Sequence, residues 1–241
     1  MIQGFYSAAS GLAAAQEHQE VIAQNLAHAA IPGYRRQELA FSSFEQTLSG
    51  SAAATSAGPA QGAQVSQSYT DFQPGDFYHT GNHLDCALRG DGFFVLQGEE
   101  GPVYTRNGTF QIGPNGQLRG AGGMPVSGTA GPITIPSNAS DLRIGWDGSV
   151  RVNGAAVGQL RVVSFAQPGN LVRVGPTLFQ APPGTASQAS SATVSQGYRE
   201  GSNVQIANEL VNMILGMRHY EAATNAMRSM SAAIQQQTRP S

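Results

Sequence analysis

Lysine is missing from this 241-residue chain, and all 13 basic residues are arginine. That alone rules out a phosphate-cradling loop of the Gly-x-x-x-x-Gly-Lys type. GC-rich codon usage accounts for the missing lysine more simply than a selected phosphate surface does. Charge of either sign is scarce, at 12% of residues against about a quarter in ordinary globular proteins. The net charge of −2 offers no basic field for nucleic acid. A single cysteine, Cys86, excludes an internal disulfide and a Cys-x-x-Cys metal site. Set in Leu84-Asp85-Cys86-Ala87-Leu88, it reads as a small buried hydrophobe. No run of 18 apolar residues occurs, so no membrane insertion is expected. The first residues lack a basic region, and Glu17, His18 and Glu20 interrupt any apolar stretch. They do not read as a cleaved secretory signal, so export, if it occurs, is expected by a route without one.

The motifs of catalysis are also missing. There is no Gly-x-Ser-x-Gly elbow and no His-Glu-x-x-His pair, so no catalytic residue is assigned and an enzyme is not expected. His79 and His83 have the spacing of a helical metal pair, but Gly81-Asn82 between them marks a turn and no third ligand is evident. No metal and no cofactor is assigned. Gly90-Asp91-Gly92 reads as a turn feeding an apolar strand rather than as a phosphate or calcium loop. The tripeptide Arg89-Gly90-Asp91 is taken as coincidence.

What the chain does have is an apolar seam at each end. Ile206, Leu210, Met213, Met217, Tyr220, Thr224, Met227, Ser231 and Ile234 follow at spacings of four and three, and seven of the nine are apolar. The pattern predicts a helix over residues 202–237, on the order of 50 Å long at about 1.5 Å per residue. Ser202-Asn203-Val204-Gln205 reads as its capping box. Near the start, Phe5, Ala8, Leu12, Ala15, Gln19, Ile22, Leu26 and Ala29 repeat the same logic in an alanine-rich stretch. Pro32-Gly33 should end that helix. Apolar stripes of this kind serve equally well inside a monomer or between subunits, so the seams alone do not choose.

Between the ends the period changes. Residues 46–70 carry no charge, and their Ser/Ala/Gly/Gln/Pro core cannot bury enough apolar surface to order itself. A similar strip spans residues 181–193. Alternating patterns predict strands near 93–97, 103–106, 109–112, 133–135, 142–146, 149–152, 160–165 and 171–174. Asn107-Gly108, Asn115-Gly116, Asp147-Gly148 and Asn153-Gly154 supply turns. The expected class is α+β: long N- and C-terminal helices pairing as a coiled coil, with an inserted, mainly antiparallel β domain. The expected divisions are residues 1–45 (helix and bridging segment), 46–66 (linker), 67–180 (β-rich outer domain), 181–201 (return linker) and 202–241 (C-terminal helix).

Three groups of residues carry a resemblance. Ala9-Ser10-Gly11-Leu12, Val21-Ile22-Ala23-Gln24-Asn25-Leu26-Ala27 and Pro32-Gly33-Tyr34-Arg35-Arg36 form the first. Thr80-Gly81-Asn82-His83-Leu84-Asp85, Gly90-Asp91-Gly92-Phe93-Phe94-Val95 and Tyr104-Thr105-Arg106-Asn107-Gly108 form the second. Gln196-Gly197-Tyr198-Arg199-Glu200-Gly201-Ser202-Asn203-Val204 with Glu209-Leu210-Val211-Asn212-Met213-Ile214 is the third. In content and order they resemble the bacterial flagellar basal-body rod and hook proteins. The chain departs from the family's usual pattern at His28, Ala30 and Ile31, where polar capping groups are expected.

The resemblance implies a structural subunit of the flagellar rod, the axial drive shaft, that polymerises through its terminal helices. The modest length favours rod over hook, and the short, featureless strip after Phe44 favours the proximal rod over the distal. Expected partners are other copies, other rod and hook proteins, and the flagellar type III export apparatus. The expected location is the periplasm-spanning rod of the basal body. Subunit packing is assigned to Phe5, Leu12, Ile22, Leu26, Ile206, Leu210, Met213, Met217, Tyr220, Met227 and Ile234, and the turn that redirects the chain to Pro32 and Gly33. The alternatives are a hook-type axial protein, or a surface adhesion or carbohydrate-binding module oligomerised by its helices.

Overall fold

The structure, a computed structural model, describes residues 2–43 and 63–237, with side chains for residues 9–40, 67–229, 231 and 232. The chain divides into two compact units. One comprises Met1–Ala27, Gln37–Asp71 and Gln205–Ser241; the other comprises His28–Arg36 and Phe72–Val204.

The first unit holds helices α1 (Ile2–His28) and α2 (Ile206–Gln237) with an antiparallel ribbon of β1 (Gln37–Ser43) and β2 (Ala63–Thr70). A register shift between Ala40 and Phe41 marks a bulge in the ribbon. Ala14, Val21, Ile22 and Asn25 form the buried side of α1. Asn25 donates from Nδ2 to the Gln37 carbonyl and accepts at Oδ1 from the Gln37 amide, both at 2.9 Å. A side-chain amide here imitates one rung of a β ladder, so the end of the helix and the start of β1 share one fixed geometry.

The second unit is built of short strands, including β3 (Phe77–His79), β4 (Cys86–Arg89), β5 (Phe93–Gly98) and β6 (Gly101–Thr105). The largest sheet has six antiparallel strands in the order Val172–Arg173, Leu178–Gln180, β6, β5, Val162–Ser164, Gln188–Ala189. Because successive side chains of a strand point to opposite faces, β5 feeds two cores at once. Phe94 and Leu96 join Cys86, Leu88, Phe110, Leu118 and Val150 on one face. Phe93 and Val95 join Tyr104, Phe165, Leu171 and Phe179 on the other. That second core is largely aromatic, with Phe72, Phe93, Tyr104 and Phe165 meeting in edge-to-face pairs.

Asn115-Gly116, Asp147-Gly148 and Asn153-Gly154 sit in hairpin turns. Asn107-Gly108 does not; there the Gly108 carbonyl accepts from the Cys86 amide at 2.9 Å. Residues 133–135 form no strand, although Ile133 and Ile135 are both buried and each makes a backbone bond to the neighbouring hairpin.

Cys86 lies in the floor of the first core with no exposed surface. Burial, reinforced by the charge of Asp85, pushes its thiol up to about 12. Only about one thiol in ten thousand is then ionised at pH 8, and the thiolate is the reactive form. A maleimide or disulfide reagent is expected to leave the folded protein unlabelled for hours and to label it fully in denaturant. Labelling within minutes without denaturant would contradict that burial.

The expected α+β fold, with long terminal helices paired as a coiled coil, is corrected by the structure. The described chain has two α-helices and is otherwise mostly short antiparallel strands in several small sheets, and long helices wound as a coiled coil are not shown. Ile206, Leu210, Met217 and Tyr220, which a coiled coil would enclose, are 52%, 45%, 45% and 38% exposed. The C-terminal helix also begins at Ile206 rather than Ser202, because the expected capping box does not form. The Ser202 hydroxyl accepts from the Val204 amide, and Asn203 is occupied elsewhere. The physical reason is general. A heptad stripe says that a helix face needs cover, but with so few flanking charges nothing in it names the other end of the same chain as the cover.

Candidate functional site

Two features of the molecule bear on function: the junction at which both connecting segments meet the β unit, and the uncovered face of α2.

The junction lies wholly within the β unit. Gly33 has φ of +70°, a conformation side chains resist, and a Cβ there would sit 2.5 Å from the Asn107 amide nitrogen. Its own amide donates to the Glu200 carbonyl at 2.8 Å. The next residues deliver Arg35 to the interior. Its Nη2 donates to Glu200 Oε1 at 2.5 Å, and both side chains are fully buried. Arg106 reaches Glu200 Oε2 through Nε at 3.2 Å and donates from Nη1 to the carbonyls of Gly90 and Gly92 at 2.9 and 2.8 Å. Burial draws the Arg106 guanidinium below its ordinary pKa; Glu200 opposes that shift and Arg35 adds to it.

Around this network the contacts continue. Arg173 donates to the Arg35 carbonyl at 2.6 Å and lies 5.0 Å from the ring centres of both Tyr34 and Phe179. Asn203 accepts from the Arg36 amide at 2.7 Å and donates to the Gln73 carbonyl at 3.2 Å. One carboxylate thus holds guanidinium groups from residues 35 and 106, so the entering chain, the sheet and the departing chain share one buried point.

Pro32 and Gly33 therefore lie at the junction. Of the residues assigned to subunit packing, Ile22 is buried and Leu12 and Leu26 are half-buried on α1. On α2, Ile206, Leu210, Met217 and Tyr220 are exposed, while Met213 and Met227 are half-buried. The Phe5 and Ile234 side chains, and the strip from 46 to 62, lie outside the described residues. Val211, Ile214 and Leu215 widen the exposed apolar face of α2. The acidic Glu209 in the same helix is buried.

Sequence reasoning gave no role to Glu200, Arg106 or Asn25 and placed Asn203 only within the expected capping box. A signal existed: in a chain so poor in charge, Arg35, Arg106 and Glu200 each stand inside one of the three motif groups. His79 packs its ring against Tyr198, with centroids 4.9 Å apart. Arg89 lies 5.7 and 5.8 Å from the ring centres of Phe77 and Tyr198. Among the described residues no group of three or more His, Cys, Asp or Glu could hold a metal ion, and no helix is long and apolar enough to cross a membrane.

The family model described as the flagellar hook protein FlgE/F/G D1 domain matches residues 87–152, and the flagellar basal body rod FlgEFG protein C-terminal model matches residues 195–238. The chain is 31% identical over 258 residues to the flagellar basal-body rod protein FlgG of Buchnera aphidicola from Schizaphis graminum, covering 98% of both chains. It is 33% identical over 246 residues to FlgF of Salmonella typhimurium, covering 95% of this chain and 94% of that one. To FlgG of Bacillus subtilis it is 29% identical, covering 98% of both. The chain belongs to the flagellar basal-body rod protein family and is a structural subunit of the bacterial flagellum.

Proposed function

We propose that this chain builds the rod of the flagellar basal body by polymerising through its terminal helices, without any enzymatic activity of its own. The observation that carries the mechanism is the face of α2. Ile206, Leu210, Val211, Ile214, Leu215, Met217 and Tyr220 lie on one chain segment, all more than a third exposed. An uncovered apolar face of that extent marks an interaction surface. Copies of the chain or neighbouring rod and hook proteins supply the cover, through heterologous contacts that extend a helical array rather than close it. Methionines at positions 213, 217 and 227 suit a seam that meets non-identical neighbours.

Within the rod, the short, featureless strip after Phe44 supports the proximal segment; relatives named FlgG and FlgF match at similar identity. Family membership supports delivery by the flagellar type III export apparatus and residence in the periplasm-spanning rod. Deleting the gene is expected to stop swimming, and a complementing tagged copy should co-purify with isolated basal bodies. A motile deletion strain, or basal bodies without the chain, would refute the proposal.

A further inference from the structure

A cavity of about 540 Å³ opens on the β unit, bounded by Pro32, Thr109, Ile112, Gly113, Arg119 and the glycine-rich turn at 120–123. Two of its polar atoms, Thr109 Oγ1 and Arg119 Nε, are buried without a hydrogen-bond partner. A Cβ on Gly113 would stand 2.5 Å from Arg119 Nε, so glycine at that position is what lets the guanidinium lie along the backbone. Among the described residues no carboxylate pairs with Arg119. The Arg119 side chain is only partly buried, so the groove presents a guanidinium without an ion-pair partner, and a carboxylate is the group that matches it.

The same unit carries such a group. The hairpin of β5 and β6 closes at the Gly98–Gly101 pair and turns through Glu99-Glu100. Both glutamates are exposed, and neither pairs with a cation among the described residues. Two adjacent carboxylates at the tip of a hairpin repel each other until a cation is brought to them.

We propose that the Glu99-Glu100 tip of one copy enters the Arg119 groove of the next, joining β units head to tail. The donor and acceptor patches differ, so the contact propagates instead of closing on itself, as a helical polymer requires. This inference rests on the rod reading but uses none of the terminal-helix residues.

The test is cross-linking in basal bodies isolated from cells carrying Glu99→Cys together with Gln111→Cys, an exposed residue on the groove rim. The buried Cys86 does not compete for a short bis-maleimide. A ladder of dimers and higher multiples of this chain is expected, with neither single variant forming one. A cross-link to another protein, or no ladder in rods that contain the chain, overturns the contact and leaves the rod reading intact. Rods that lack even the unmodified chain would overturn the rod reading with it. In a parallel series, Arg119→Glu alone and the pair Glu99→Arg with Glu100→Arg are each expected to cut rod assembly about tenfold. All three changes in one chain should restore it, because every copy then presents a matched pair of reversed charges. Unaltered melting temperatures would show that each variant folds, and failure of the combined variant to recover would overturn the pairing.

Discussion

Changing Leu210 or Met217 to Asp is expected to abolish swimming while leaving the β unit as stable as before. Both side chains are 45% exposed on α2, so neither substitution opens a cavity in the subunit or buries a charge within it. In the proposed rod the damage arises when a neighbouring helix covers the seam and the new carboxylate must lose its water. An uncompensated charge there costs at least about 3 kcal/mol per contact, more than a hundredfold in the affinity of each addition step. The penalty recurs with every subunit, so even partial tolerance at one contact leaves no continuous shaft. The measurements are swarm diameter, immunoblots of purified basal bodies, and a thermal melt of the isolated protein. Normal swimming with Leu210→Asp would show that α2 is not the polymer seam.

Glu200→Ala is expected to act in the opposite way, through the fold of the single chain. Glu200 is the acceptor that meets the Arg35 guanidinium, whose Nε and Nη1 are buried without partners of their own. Arg106 loses its carboxylate at the same time. Removing the one anion leaves two buried cations facing each other, a change that typically costs about 3–5 kcal/mol. For a chain of this size that corresponds to a fall in melting temperature on the order of 10 °C. Salt should not rescue the variant, because bulk ions do not reach a fully buried pair. A fall of less than about 3 °C would mean that the guanidinium groups find water and that the junction is held by its apolar contacts alone.

Much of the local structure was legible because it depends on near neighbours. Asn153-Gly154 is a hairpin turn since both positions take positive φ at little cost, and Asn153 does so at 51°. The strand at 149–152 was readable from its alternation, and Ser149–Val152 is where the strand lies. Asn107-Gly108 misled for an equally physical reason: the dipeptide permits a tight turn but does not compel one, and here the Cys86 amide claims the Gly108 carbonyl. Ser202-Asn203 misled in the same way, because groups able to cap a helix can instead bond within a turn or to a segment distant in the chain.

Family and the apolar period of α2 were written in the sequence, since motif order and periodicity are properties of neighbouring residues. The partner of the seam was not, because a heptad pattern specifies an apolar face without specifying what covers it. Nor was the Arg35–Glu200–Arg106 network. Its members are separated by 71 and 94 positions (106 − 35 and 200 − 106), and no local rule couples charges so far apart. Only the closed β unit brings them within hydrogen-bonding distance, in an interior where one carboxylate must answer two guanidinium groups.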